Sequence, residues 1–229
     1  MPLKKNIKFI IGIAVAAVLP LSFGLIVHSI SKDNISIPGY YRADQINSSH
    51  IDGKIVYDTV FHKVKELTLT NQLGHEVRLN RDLEGKMLVI SFISPRDTGI
   101  SRQLTANMRI IQKAFLKKSA RLVQFISIST DSPQDSVKRL RQYADDFHAD
   151  HDHWWFLTGN KDSIYDYAKN ELGVTLQSSG LPDDSCYYAS HFILLDTNRY
   201  IRGYFDGMAL KDLRTISDDV VILSMIKKK

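Results

Sequence analysis

Between Met87 and Phe115 an apolar run, a short loop and a helical repeat follow one another without interruption, and this order constrains the fold more than any other feature. Met87 to Phe92 reads as a buried strand. Pro95 and Gly99 punctuate a loop. Ile100, Leu104, Met108, Ile111 and Phe115 then recur at the spacing of one helix face. Strand, loop and helix in that sequence point to an α/β layout.

The rest of the chain extends the pattern. Glu66–Thr70 and Glu76–Leu79 flank a glycine-containing turn and read as a hairpin. Arg121–Ile128 reads as a second buried strand, and Ser132, Pro133 and Asp135 as a helix start whose inward side carries Val137, Leu140, Tyr143, Ala144 and Phe147. Trp154–Leu157 reads as a third strand, and a helix from Lys161 to Leu172 ends at Gly173. Residues 174–190 read as a loop, His191–Leu195 and Tyr200–Phe205 as a hairpin, and Leu210–Met225 as a final helix with Leu213, Ile216, Val220 and Leu223 inward. Strands alternating with helices imply a mixed sheet covered on both faces.

Phe9 to His28 holds 20 residues without a charged side chain, about the length of a membrane-spanning helix. Lys4, Lys5 and Lys8 precede it, so the positive-inside rule orients the N-terminus to the cytoplasm and the remainder outside. Residues 1–8 are thus expected to be cytoplasmic, 9–28 an anchor in the inner or cytoplasmic membrane, 29–60 a tether and 61–229 one globular, extracytoplasmic (periplasmic) domain. Cleavage of a signal peptide near Ser29–Ser31 is the alternative.

The formal charge of +5 is concentrated at the ends. Setting aside Lys4, Lys5, Lys8, Lys227, Lys228 and Lys229 leaves 24 basic against 25 acidic residues, a net of −1. Without a basic stripe interleaved with aromatics, nucleic acid is not an expected partner.

The chain has one cysteine, Cys186. It reads as a small buried hydrophobe, a partner in an intermolecular disulfide, or an unselected loop thiol. His148, Asp150, His151, Asp152 and His153 crowd into FHADHDHWW, a solvated connection or a site for zinc or copper(II) through imidazole and carboxylate.

The segment LVISFISPRDTGISRQLTANM, residues 88–108, resembles the SCO/SenC family, thioredoxin-like copper chaperones for cytochrome c oxidase assembly. IDGKIVYDTVFHKV, LTLTNQLGHEVRLNRDLEGKMLVISF, ISISTDSPQDSVKRLRQYADDF, WFLTGNKDSIYDYAKNELGVT and FILLDTNRYIRGYFDG extend the likeness over most of the chain after residue 35. The resemblance implies a thioredoxin-like mixed sheet flanked by helices, preceded by one transmembrane helix. It also implies that Asp131, Asp135, Thr158, Gly159, Arg202, Gly203, Asp206 and Gly207 belong to the family framework, with capping, turns and surface pairing as their plain roles.

In that family a Cys-Pro-x-x-Cys-Pro loop and a later histidine bind copper. Registering Phe92, Ile100 and Met108 on the pattern puts Asp97 and Ser101 at the two cysteines, and counting back from Phe192 and Asp196 puts Tyr188 at the histidine. Copper(I) favours soft thiolate, whereas carboxylate, hydroxyl and phenol are hard ligands. A thiol–disulfide cycle needs two sulfurs, or one plus a partner's. The expectation is a divergent, non-enzymatic member with no metal, catalytic or cofactor site, serving as an accessory or binding protein whose partners are the respiratory oxidase or its assembly factors. The alternative is a copper chaperone with ligands rebuilt from Cys186, His191 or the His148–His153 cluster. For Asp97 itself, simple capping of the helix is the plain reading.

Overall fold

The computed structural model describes residues 37–51, 54–115, 121–132, 134–178 and 187–226, with Ala16, Val18, Pro20 and Ser22 as isolated helical positions. The chain divides into two compact units, Met1–Ser36 and Ile37–Lys229. Apart from those four positions, the expected anchor over residues 9–28 lies outside the described residues. Among the described residues no helix is long and apolar enough to cross a membrane.

The second unit opens with a hairpin, β1 (Ala43–Ile51) and β2 (Lys54–Phe61), inside the stretch read as a tether. It continues through β3 (Thr68–Asn71), β4 (Glu76–Arg78), β5 (Met87–Ile93), α1 (Ile100–Phe115), β6 (Val123–Ser129), α2 (Val137–Asp146) and β7 (Trp154–Thr158). Then come α3 (Lys161–Asp166), β8 (Gln177–Ser178), β9 (Tyr187–Leu195), β10 (Ile201–Asp206) and α4 (Leu210–Met225). The main sheet runs β10-β9-β5-β6-β7-β3-β4, with β8 against β9. β5, β6 and β7 are parallel, and β9, β10, β3 and β4 join them antiparallel. This is the mixed, doubly covered sheet that the alternation of strands and helices implies.

Every residue of β5 and β6 is buried, since helices or loops cover both faces. Val89 and Ile93 join Leu104, Met108 and Phe115 of α1 and Ile216 of α4 on one face. Leu88, Ile90 and Phe92 join Ile164 of α3 and Val64, Leu79 and Leu83 on the other. Two of the three serines in these strands, Ser91 and Ser127, satisfy each other. Ser91 and Ser127 face across the ladder with hydroxyls 3.0 Å apart, and the Trp154 indole N–H donates to Ser127 at 3.0 Å.

The start of α2 differs from expectation. Its cap is Ser136, whose hydroxyl accepts from the Arg139 N–H at 3.3 Å, four residues beyond Ser132. Asp135 is unavailable as a first-turn acid because its side chain is fully buried against the Ser129 hydroxyl. α3 begins on an Asn160 cap and widens into a π-type turn, Tyr167–Glu171, before Gly173 at φ +66°. Part of the segment read as a loop, 174–190, is β8 and the first half of β9.

The hairpin is tied to the domain by His62. Its Nδ1 lies 2.8 Å from Asp44 at the base of β1, and its Nε2 lies 3.1 Å from Glu171 in the π-type turn. Arg199 is another long-range tie. Buried in a left-handed conformation at φ +71°, it donates to the carbonyls of Leu79, Asn80, Leu83 and Lys86. Arg202 and Asp135, read as surface and capping residues, are instead buried.

Candidate functional site

The parallel strands β5 and β6 end at the same edge of the sheet, where backbone polar groups run out of ladder partners and α1 begins. Asp97 stands at this edge. Its backbone N–H donates to the Ser94 carbonyl at 3.0 Å. Its two carboxylate oxygens accept from the Gly99 N–H at 2.8 Å and the Ser101 N–H at 2.9 Å. These are unpaired donors of a helix start, and a carboxylate there also complements the helix dipole.

Ser101 is completely buried, and its hydroxyl accepts from the Ser94 N–H at 3.0 Å. The next turn continues inward, with the Thr105 hydroxyl donating to the Ser101 carbonyl at 2.8 Å and lying 3.1 Å from the Tyr143 hydroxyl. Burial pushes the Tyr143 phenol up to about 12.

Across the edge, Asp131 pairs with Arg96 at 2.7 Å. Asp135 accepts from Ser129 on one oxygen. Its other oxygen has no hydrogen-bond partner, although the Arg139 guanidinium lies 3.5 Å away. Burial raises this carboxyl from 3.8 to about 6, against the opposing pull of Ser129 and Arg139. Gly207 closes the edge from the β10 side. A Cβ there would stand 2.5 Å from Leu104 and 2.9 Å from the Ser190 carbonyl, and the Asn107 amide reaches the Gly207 carbonyl at 2.7 Å.

The register therefore brings Asp97 and Ser101 together on one loop and helix start. Tyr188 is opposite Gln177 in the β8–β9 pair, and its neighbour Ala189 is opposite Phe92 of β5, so the backbone of the third position also stands at this edge. The Tyr188 side chain and all of Cys186 lie outside the described residues. His191 is exposed on β9, with Nδ1 3.2 Å from the Ser190 hydroxyl.

His148, His151 and His153 sit at the opposite end of the parallel strands, before β7. His151 bridges Gln72 at 2.9 Å and Asp145 at 2.8 Å, while His153 faces Asp150 at 3.1 Å. His148 occupies a left-handed turn at φ +50° and is exposed. Among the described residues no group of three or more His, Cys, Asp or Glu side chains converges as a metal would require.

Residues 58–221 match the family model described as SCO1/SenC. The chain belongs to this family. A SCO1 protein homolog of Bacillus subtilis (strain 168) is 29% identical over 177 residues, which is 76% of this chain and 90% of that one. The solved structure of BsSco, described as a member of the Sco family of cytochrome c oxidase assembly proteins with a disulfide switch, is 26% identical. It superposes with a TM-score of 0.63 over 74% of this chain and 98% of its own. A SCO1/SenC family lipoprotein from Bacillus anthracis str. Ames gives a TM-score of 0.65 at 24% identity, over 71% of this chain and 95% of its own. The mixed sheet is thus the thioredoxin-like Sco fold.

Asp97 and Ser101 offer oxygen atoms already engaged with backbone N–H groups, a poor fit to copper(I). The sequence register singles out Asp97 and Ser101 but not the Ser129–Asp135 and Arg96–Asp131 contacts. The only available signal was the acidic pair Asp131 and Asp135 following a buried strand.

Proposed function

We propose that this chain is a membrane-anchored, extracytoplasmic Sco protein that works without a copper or redox centre, as a non-catalytic accessory or binding protein in cytochrome oxidase assembly. The observation that carries the reading is the engagement of Asp97 and Ser101. Both carboxylate oxygens and the buried hydroxyl accept backbone N–H bonds at the start of α1. The thiol positions have become structural.

Further support comes from the single cysteine, which leaves no internal partner for a two-electron thiol cycle. The process is inherited from the family, as BsSco is described as an oxidase assembly protein. Anchoring rests on the uncharged run from Phe9 to His28 and the lysines before it.

The test is metal content and copper(I) competition titration on the full chain in detergent, with Cys186→Ser in parallel. The expected result is no stoichiometric copper in either protein. One tightly held copper per chain overturns the reading, and its loss in Cys186→Ser, or on substituting His191 or the His148–His153 cluster, identifies a rebuilt ligand set. Carbonate-resistant membrane association with a protease-accessible outer domain is the expected topology.

A further inference from the structure

β2 carries a five-residue segment that its topology leaves unused. Lys54, Ile55, Val56, Tyr57 and Asp58 are all exposed, Tyr57 at 67%. The ribbon has two strands, and among the described residues nothing pairs with the outer edge of β2. Such an edge presents a row of free N–H and C=O groups, which proteins commonly blunt with proline or a bulge. β2 contains no proline, and the one irregularity of the hairpin lies at Ala43/Gln45, at the far end from Lys54. A ribbon of two strands is itself marginal in water and gains stability from a third.

The edge is self-complementary about Val56. When a second copy runs antiparallel with Val56 facing its own equivalent, Lys54 faces Asp58 of the second copy and Asp58 faces its Lys54. On the opposite face of the ribbon, Ile55 meets Tyr57 of the second copy, twice. Opposite charges and aromatic–β-branched pairs are both favourable directly across a ladder. A slip of one residue unmatches both charge pairs, so the sequence selects one register. The outer edge of β1 offers no comparable match, because Asp44, the charge that would pair with His50 about Asn47, is held 2.8 Å from His62.

We propose that two copies of this chain associate through the free edges of β2, antiparallel and twofold symmetric about Val56, turning two ribbons into one four-stranded sheet.

The test uses the full chain in detergent. Facing residues in an antiparallel pair have Cα atoms about 4.5–5.5 Å apart, within disulfide range. Val56→Cys in a Cys186→Ser background is therefore expected to give a covalent dimer on mild oxidation. Thr59→Cys in the same background stays monomeric, because its two copies would lie about 20 Å apart along the strands. In sedimentation, Lys54→Asp or Asp58→Lys alone weakens dimerisation about tenfold, and the two together restore it. Equal cross-linking at Val56 and Thr59, or a double variant as weak as the single ones, overturns the proposal. A chain that stays monomeric at all concentrations also overturns it and leaves the edge to a strand of another protein.

Discussion

β5, MLVISFI, and β2, KIVYDTVF, are both rich in the apolar, aromatic and β-branched residues that favour strands, yet they occupy opposite extremes of environment. Every side chain of β5 is buried; in β2 six of eight positions are exposed and the other two are half-covered. The difference lies in the neighbours. β5 has β6 on one edge, β9 on the other and a core cluster on each face. β2 has only β1. Strand propensity measures how well a side chain fits a pleated, half-covered surface, so identical chemistry carries a different energy in each place.

Truncation of an aromatic in each strand tests this contrast most strongly. Phe92→Ala in β5 is expected to cost about 3–5 kcal/mol in denaturant unfolding, from lost transfer energy plus a cavity. Tyr57→Ala in β2, measured at concentrations where the chain is monomeric, is expected to change stability by no more than about 0.5 kcal/mol. Similar costs at the two sites would show that the ribbon is covered in the monomer.

Carboxylates sharpen the same comparison. Asp58 stands exposed on the ribbon, whereas Asp135 is buried at the end of the central sheet with a pKa raised from 3.8 to about 6. Below pH 3.8 folded and unfolded chains both hold this proton, so the group exacts no penalty. Above about 6 the folded chain must bury a charge, at a cost of about 3 kcal/mol. Stability from this group therefore falls as pH rises through that window. Asp135→Asn, which can keep the Ser129 contact, is expected to gain up to about 3 kcal/mol over the parent at pH 7 and little at pH 3.5. Urea midpoints at the two pH values decide it, and an equal gain at both would refute burial of charge as the cause.

His62 controls how far the two regions act as one. Replacing it with Leu removes the contacts to Asp44 and Glu171, while Glu171 keeps the Lys65 N–H at 3.0 Å. The expected loss is about 1–2 kcal/mol. Hydrogen exchange should show it locally, with faster exchange in β1 and β2 and unchanged protection in β5. Uniform acceleration across both would mean that the ribbon and the sheet unfold together.

The same contrast explains what could be read from the sequence. β5, β6 and β7 were legible as short apolar runs, because both their faces are covered, and α1 and α4 because one core face imposes the helical period. The hairpin from Ala43 to Phe61 was not, since a ribbon exposed on both faces has no reason to alternate. The Asp97 and Ser101 positions could be placed by counting from Phe92 and Ile100, but the burial of Asp135 depends on how the chain folds back onto Ser129. Arg199 was equally hidden, because its carbonyl partners between Leu79 and Lys86 lie more than a hundred residues earlier.

The smallest expected effect concerns the edge where Asp97 and Ser101 begin α1. If Asp97 serves chiefly to satisfy the Gly99 and Ser101 N–H groups, Asp97→Ala should cost about 1 kcal/mol, the usual loss of a helix-start acceptor. Asp97→Asn, which keeps an oxygen acceptor but no charge, should recover most of it. Asp97→Cys should behave like Ala, because a thiol is a weak acceptor. A thiol at this position would then destabilise the start of α1 rather than build a site, since Ser101 remains buried beneath it with its hydroxyl engaged by Ser94. A cysteine tolerated at no cost would instead mean that the loop adapts to either side chain, and that the carboxylate has no structural role.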